Sequence, residues 1–118
     1  LANARSRIVS EYGSVFAIKD NYPVTKGHHL IIPKNHSKDY FSISENERSD
    51  AEKLIRILQK KISESDSSVT GFNIGANSGE SAGQTIFHAH IHLIPRRDGD
   101  MSNPRGGVRG VIPDKMSY

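Results

Sequence analysis

The stretch 83–94 reads GQTIFHAHIHLI, and its strict alternation decides the fold. Successive side chains on a β-strand point to opposite faces, so residues two apart share a face at a spacing of roughly 6.6 Å. The pattern predicts a last strand over Phe87–Ile94, ended by Pro95. Phe87, Ala89, Ile91 and Leu93 then seek a core. His88, His90 and His92 line the opposite face as a row of imidazoles.

Working outward, the remaining elements supply that core. Ser14–Lys19 (SVFAIK) and His28–Ile32 (HHLII) read as two strands by their β-branched and aromatic content. Asp20–Gly27 (DNYPVTKG) joins them as a loop, and Pro33 closes the second. Val69–Ala76 (VTGFNIGA) reads as another strand, with Phe72 and Ile74 on one side. Its other side, Gly71, Asn73 and Gly75, is bare enough for a backbone or a ligand to approach. Ser44 followed three residues on by Glu47 matches a capping box, in which side chain and backbone satisfy each other's orphan amides. Ala51, Leu54, Ile55, Leu58 and Ile62 then recur at helical spacing. One amphipathic helix is therefore predicted over Ser44–Ser63, packed on a sheet. Residues 98–118 carry Gly99, Pro104, Gly106, Gly107, Gly110 and Pro113 without periodicity and read as an irregular tail.

Composition narrows the function. The 118 residues suit one domain, 1–118, with its main body at about 13–97. The absence of Cys excludes a disulfide framework, thiol catalysis, a Cys-ligated zinc and an iron–sulfur cluster. Net charge is +3, from 16 Lys+Arg and 13 Asp+Glu, and no basic stripe is interleaved with aromatics, so nucleic acid is not the expected partner. No apolar run approaches the roughly 18–20 residues of a membrane span and nothing reads as a signal peptide, so a cytoplasmic location is expected. A chain opening on Leu1 rather than Met leaves room for a short leader upstream.

Six His against no Cys is the feature that demands an explanation. A row of three at period two admits a bland polar surface, a metal site or phosphate chemistry. Imidazole is a common zinc ligand, but Asp66 and Glu80 show no ligand spacing, and His28 or His29 could join only if their strand lies beside the triad. The phosphate reading uses more of the chain. Just before the triad, Asn77–Thr85 (NSGESAGQT) offers glycines for close backbone approach and neutral donors in Asn, Gln and Thr. No Lys or Arg occurs from residue 62 to 95, so an anion there must be held by such donors and by imidazoles. A neutral imidazole can attack phosphorus while a neighbour donates a proton.

The stretch 83–94 resembles the His-x-His-x-His signature of the histidine triad (HIT) superfamily. Residues 23–36, PVTKGHHLIIPKNH, resemble that family's other characteristic segment, a Pro-containing turn leading to Gly-His and an apolar strand ending in Pro. The resemblance covers about residues 13–97. It implies an α+β fold, a HIT-like antiparallel sheet of about five strands with one main helix, and a homodimer with a continued sheet. It also implies a hydrolase or transferase acting at the α-phosphorus of a nucleotide derivative. Position by position, His90 matches the nucleophile, His92 the residue assisting the leaving group, and His88 and His28 the supporting imidazoles. Asn77, Gln84 and Thr85 match polar residues around the phosphates, and Asp20 the residue on the ribose hydroxyls. His29 and His36 match no family role and are expected at the surface. Phe16, Ile18 and Leu30 either wall a base pocket or pack the core.

Pro95-Arg96-Arg97 resembles the branch that cleaves dinucleoside polyphosphates such as diadenosine tetraphosphate, with the arginines meeting outer phosphates. The tail resembles bacterial HIT proteins. No organic cofactor and no protein-held metal are implied, although a divalent cation can accompany a polyphosphate. The nucleoside-phosphoramidate branch and a non-catalytic nucleotide-binding protein are the alternatives.

Overall fold

The computed structural model describes residues 4–118. Among these, five strands form one antiparallel sheet, ordered β1(Ile8–Tyr12), β2(Val15–Lys19), β3(His29–Pro33), β5(Ile91–Arg97), β4(Val69–Gly75). One helix, α1(Glu45–Ser65), covers one face, giving the expected α+β architecture. The β2–β3 hairpin forms as predicted, with Phe16 opposite Ile32 and Ile18 opposite Leu30.

The capping box is present in full at the start of α1. Ser44 Oγ accepts from Glu47 N at 3.1 Å, and Glu47 Oε1 accepts from Ser44 N at 2.9 Å. Ala51, Leu54, Ile55 and Leu58 bury against Val15, Ala17, Ile31 and Leu93, so the apolar stripe meets one face of the sheet. The other face carries a second cluster, Phe16, Ile18, Leu30 and Ile32, capped by Ala4. Those residues pack as core among the segments that reach them.

β1 has no sequence forecast. Its composition, IVSEY, is half polar because it is an edge strand with mixed exposure, and a register shift between Ile8 and Ser10 breaks the alternation. A turn at Gly13 (φ +53°) joins it to β2 and is tied to α1, where Asp50 Oδ2 accepts from Ser14 N at 2.9 Å and Ser14 Oγ at 2.8 Å.

The last strand is the main correction. It runs Ile91–Arg97, not Phe87–Ile94, so only His92 of the three triad histidines lies on a strand. Two neighbours give out at once. β4 departs after Gly75, opposite His92, and β3 pairs with β5 only as far as Ile31 opposite Ile91. Two residues on stands Pro33, which has no N–H to extend a ladder towards residue 89. The Ala89 amide instead donates to Ser37 O at 2.7 Å. Phe87 consequently leaves the core and is 43% exposed, whereas Ala89 and Leu93 are buried as expected. Pro95 does not end the strand. It sits beyond the last β3 pair, His29 opposite Leu93, and its carbonyl accepts from Thr25 Oγ1 of the β2–β3 loop.

Candidate active site

His92 pairs with Leu30 in β3, and alternation turns it to the sheet face opposite α1. The β2–β3 loop folds over the same place. Asp20 N donates to His28 O at 3.0 Å, closing the loop, and Gly27 (φ +94°) provides the left-handed turn before His28. A side chain at Gly27 would also press on the Pro95 ring, 3.1 Å from its Cβ. Glycine there lets the loop seat on β5 and deliver His28, 3% exposed, to His92.

The proton positions follow from one unambiguous donor. Val24 N–H donates to His28 Nδ1 at 3.0 Å, so that nitrogen is an acceptor and the His28 proton resides on Nε2. His28 Nε2 lies 2.9 Å from His92 Nδ1 and donates to it. His92 therefore carries its own proton on Nε2. His90 Nδ1 lies 2.8 Å from the His88 carbonyl and donates to it, which leaves His90 Nε2 with a bare lone pair. His88 Nε2 in turn donates to Pro33 O at 3.1 Å. The His90 and His92 rings meet edge to face, 5.3 Å between centroids. The site thus pairs an imidazole lone pair with an imidazole N–H.

Electrostatics favour the neutral forms. Burial pushes the His28 imidazole below its ordinary value, and the nearby Asp20 carboxylate opposes this only in part. His92 is likewise lowered, by burial first and then by the His90 and His28 rings. His88 is lowered by burial against the opposing pull of the Pro33 carbonyl. Asp20 Oδ2 lies 3.4 Å from His28 Nε2, a distance at which a charged pair would form. The neutral state prevails, because the Val24 amide leaves no place for a second proton on His28. Tyr22 N donates to Asp20 Oδ1 at 2.9 Å and fixes the carboxylate at the edge of the site.

Asp20, His28 and His92 offer ligand atoms within 4.8 Å of one another. This set does not fit a metal as it stands. His28 could ligate through Nε2 only by surrendering the proton that the Val24 amide keeps there.

Asn77 lines a cleft of about 540 Å³ together with His28 and His92. Gln84 does not face it. Only 4% exposed, Gln84 donates from Nε2 to Lys38 O (2.8 Å) and Ile86 O (3.1 Å) and accepts the Gly79 amide on Oε1 (2.8 Å), bracing the 79–86 loop from behind. Thr85 is exposed on that loop. His29 is a correction: it is buried, with Nδ1 bonded to Gly27 O, because it stands opposite Leu93 on the sheet face that α1 covers. His36 is exposed as expected and touches His88 edge to face.

Two features had no sequence signal. The Val24 amide acts through its backbone, so its side chain gives no hint of it. The tail returns to the site, with Val108 and Val111 lining the same cleft as Val24. Arg96 and Arg97, expected at outer phosphates, are engaged elsewhere. Arg96 forks onto Asp100 with two 2.8 Å bonds and reaches Asn73 Oδ1, and Arg97 binds Asp66 Oδ2 at 2.9 Å and Ser68 Oγ at 3.0 Å. Ser68 and Arg97 together hold the Asp66 carboxyl at about 2.

Known proteins resemble this chain in sequence and fold. An uncharacterized 13.1 kDa HIT-like protein of Mesomycoplasma hyorhinis is 38% identical over 89 residues, 75% of this chain and 78% of that protein. The crystal structure of a hypothetical histidine triad nucleotide-binding protein from Sulfolobus tokodaii superposes with a TM-score of 0.72 at 36% identity, covering 79% of this chain. The chain spans 62% of that longer protein. A zinc-bound histidine triad family protein from Mycobacterium smegmatis superposes with a TM-score of 0.73 at 33% identity, over 81% of this chain and 69% of that one. The HIT domain description matches residues 2–99, from before the first strand to just past the last, and this chain belongs to the HIT domain family.

Proposed function

We propose that the protein is a nucleotide hydrolase or transferase acting at the α-phosphorus of a nucleotide derivative through a nucleotidyl-histidine intermediate. The observation that carries this reading is the proton chain from the Val24 amide through His28 to His92, set beside a bare His90 Nε2. His90 Nε2 attacks phosphorus and the bond to the leaving group breaks. His92 Nε2–H gives its proton to the departing atom. Water then attacks the nucleotidyl-His90, returns a proton to His92 Nε2, and releases a nucleoside monophosphate with the electron pair back on His90. Asp20 accepts from the ribose hydroxyls, Asn77 and Thr85 meet the phosphate, and His88 and Gln84 support the histidine and loop backbones.

The substrate candidates are dinucleoside polyphosphates such as diadenosine tetraphosphate, with any divalent cation carried by the polyphosphate, and nucleoside phosphoramidates. A cytoplasmic homodimer goes with the reading. The open edge of β4 and the exposed Ile74 on it support pairing by a continued sheet. Incubating the protein with both substrate classes and measuring intact mass tests the mechanism. A nucleotidyl adduct is expected on the parent protein and absent from His90→Ala, whose turnover drops about a thousandfold or more. Undiminished turnover in His90→Ala overturns the mechanism. Tight AMP binding with no turnover of any substrate would leave a non-catalytic nucleotide-binding protein.

A further inference from the structure

The cleft beside His92 has an unusual wall. Val24 of the β2–β3 loop and Val108 and Val111 of the tail all line it, and these three residues are 70%, 64% and 75% exposed. Apolar side chains gathered around a cleft rather than scattered singly mark a binding surface. Among the described residues, no Lys, Arg, Asp or Glu lines this cleft. Three arginines of the C-terminal segment are committed elsewhere. Arg96 and Arg97 hold Asp100 and Asp66, and Arg109 donates to Lys115 O at 3.0 Å and lies 5.1 Å from the Tyr118 ring centre. The carboxylate that does stand close, Asp20, is itself negative.

This bears on the leaving group. His92 carries the proton that the departing atom must take, so the departing group sits on the His92 side, in this cleft. A second nucleotide joined through polyphosphate would bring several negative charges to a wall without a cation and beside a carboxylate. An uncharged hydrocarbon or aromatic body would instead cover the three valines.

Resting on the nucleotidyl-transfer reading, we infer that Val24, Val108 and Val111 form an apolar leaving-group subsite, which selects nucleoside monophosphate derivatives whose leaving group is uncharged and apolar. For an amidate the step balances simply. The His90 Nε2–P bond forms, the P–N bond breaks, and the amine departs with the proton of His92 Nε2.

The test is a kcat/KM series on the full chain: adenosine 5′-phosphoramidates of ammonia, propylamine and benzylamine, with diadenosine tetraphosphate as the charged comparison. The benzylamine derivative is expected to exceed the ammonia derivative by about tenfold, the scale of burying a few methylene equivalents. The double change Val108→Ala, Val111→Ala is expected to lower the benzylamine-to-ammonia ratio by about three- to tenfold, a ratio that a general loss of folded protein would not move. Val111→Lys is expected to lower that ratio and to raise relative turnover of diadenosine tetraphosphate. A flat amine series, a ratio untouched by the valine changes, or a parent preference for diadenosine tetraphosphate would overturn the subsite while leaving nucleotidyl transfer standing. No turnover of any substrate and no adduct on His90 would overturn both.

Discussion

At the scale of single residues, the site is organised by a group that has no side-chain chemistry. The Val24 amide decides which nitrogen of His28 bears the proton, and His28 decides the same for His92. Removing the middle member should therefore disturb proton delivery more than substrate binding. His28→Ala is expected to lower kcat by about 10–100-fold with a smaller change in KM, the usual scale for a partner that orients a reacting imidazole. His28→Gln, which can still donate towards His92, should recover part of the loss. Single-turnover kinetics with an amidate check both. Equal losses in the two variants would mean that His28 serves packing alone. Much of this was legible in the residue types: the histidine spacing and the Gly-His before β3 singled out imidazoles that the fold brings together. Their proton placement was not legible, because it depends on a backbone donor four residues away whose position only the folded loop defines.

At the scale of elements, α1 was readable to its first residue, since a capping box and an apolar stripe are local patterns that packing had no reason to override. Ser44→Ala should cost about 1 kcal/mol in denaturant unfolding by orphaning the Glu47 amide, with the fold retained. The β1–β2 turn gives a second test. Gly13 holds a positive φ, and a Cβ there would overlap the Asp50 carboxylate that fastens the turn to α1. Gly13→Ala is expected to destabilise by at least about 1–2 kcal/mol for the backbone conformation alone. A near-neutral midpoint would show that the turn relaxes freely. The last strand was misread because alternation of side chains is necessary for a strand and not sufficient. Residues 87–90 alternate perfectly, yet neither the β3 nor the β4 ladder continues alongside them. Conversely β1, a half-polar edge, pairs well without alternating.

At the scale of the whole molecule, four imidazoles are held below their ordinary value chiefly by burial: His28, His29, His88 and His92. The unfolded chain binds protons at these positions as pH falls through about 6.5, while the folded chain resists until lower pH. Stability is thus fully present above about pH 6.5 and is lost progressively below it. Thermal unfolding should give a steady Tm between about pH 7 and 8 and a decline from about 6.5 towards 5. His29→Gln is expected to shallow that decline, and an unchanged slope would remove His29 from the account. Assembly is the other property at this scale. Ile74 stands half exposed on the open β4 edge, and Phe41 shares a groove of about 570 Å³ with it beside α1. Ile74→Lys is expected to shift the sedimentation coefficient from dimer to monomer. A parent protein that sediments as a monomer at all concentrations would refute the pairing.

Pro33 carries one more implication. The hydrogen it lacks stops β3 from stitching itself to the segment that holds His90. The chain from 91 onward should exchange its amide hydrogens slowly, as a sheet interior does, whereas most amides of 86–90 should exchange quickly, with Ala89 slowed by its bond to Ser37. On the proposed mechanism His90 would thus stand at the border between a stiff scaffold and a segment without a ladder, aimed by the first and left free by the second to move with phosphorus.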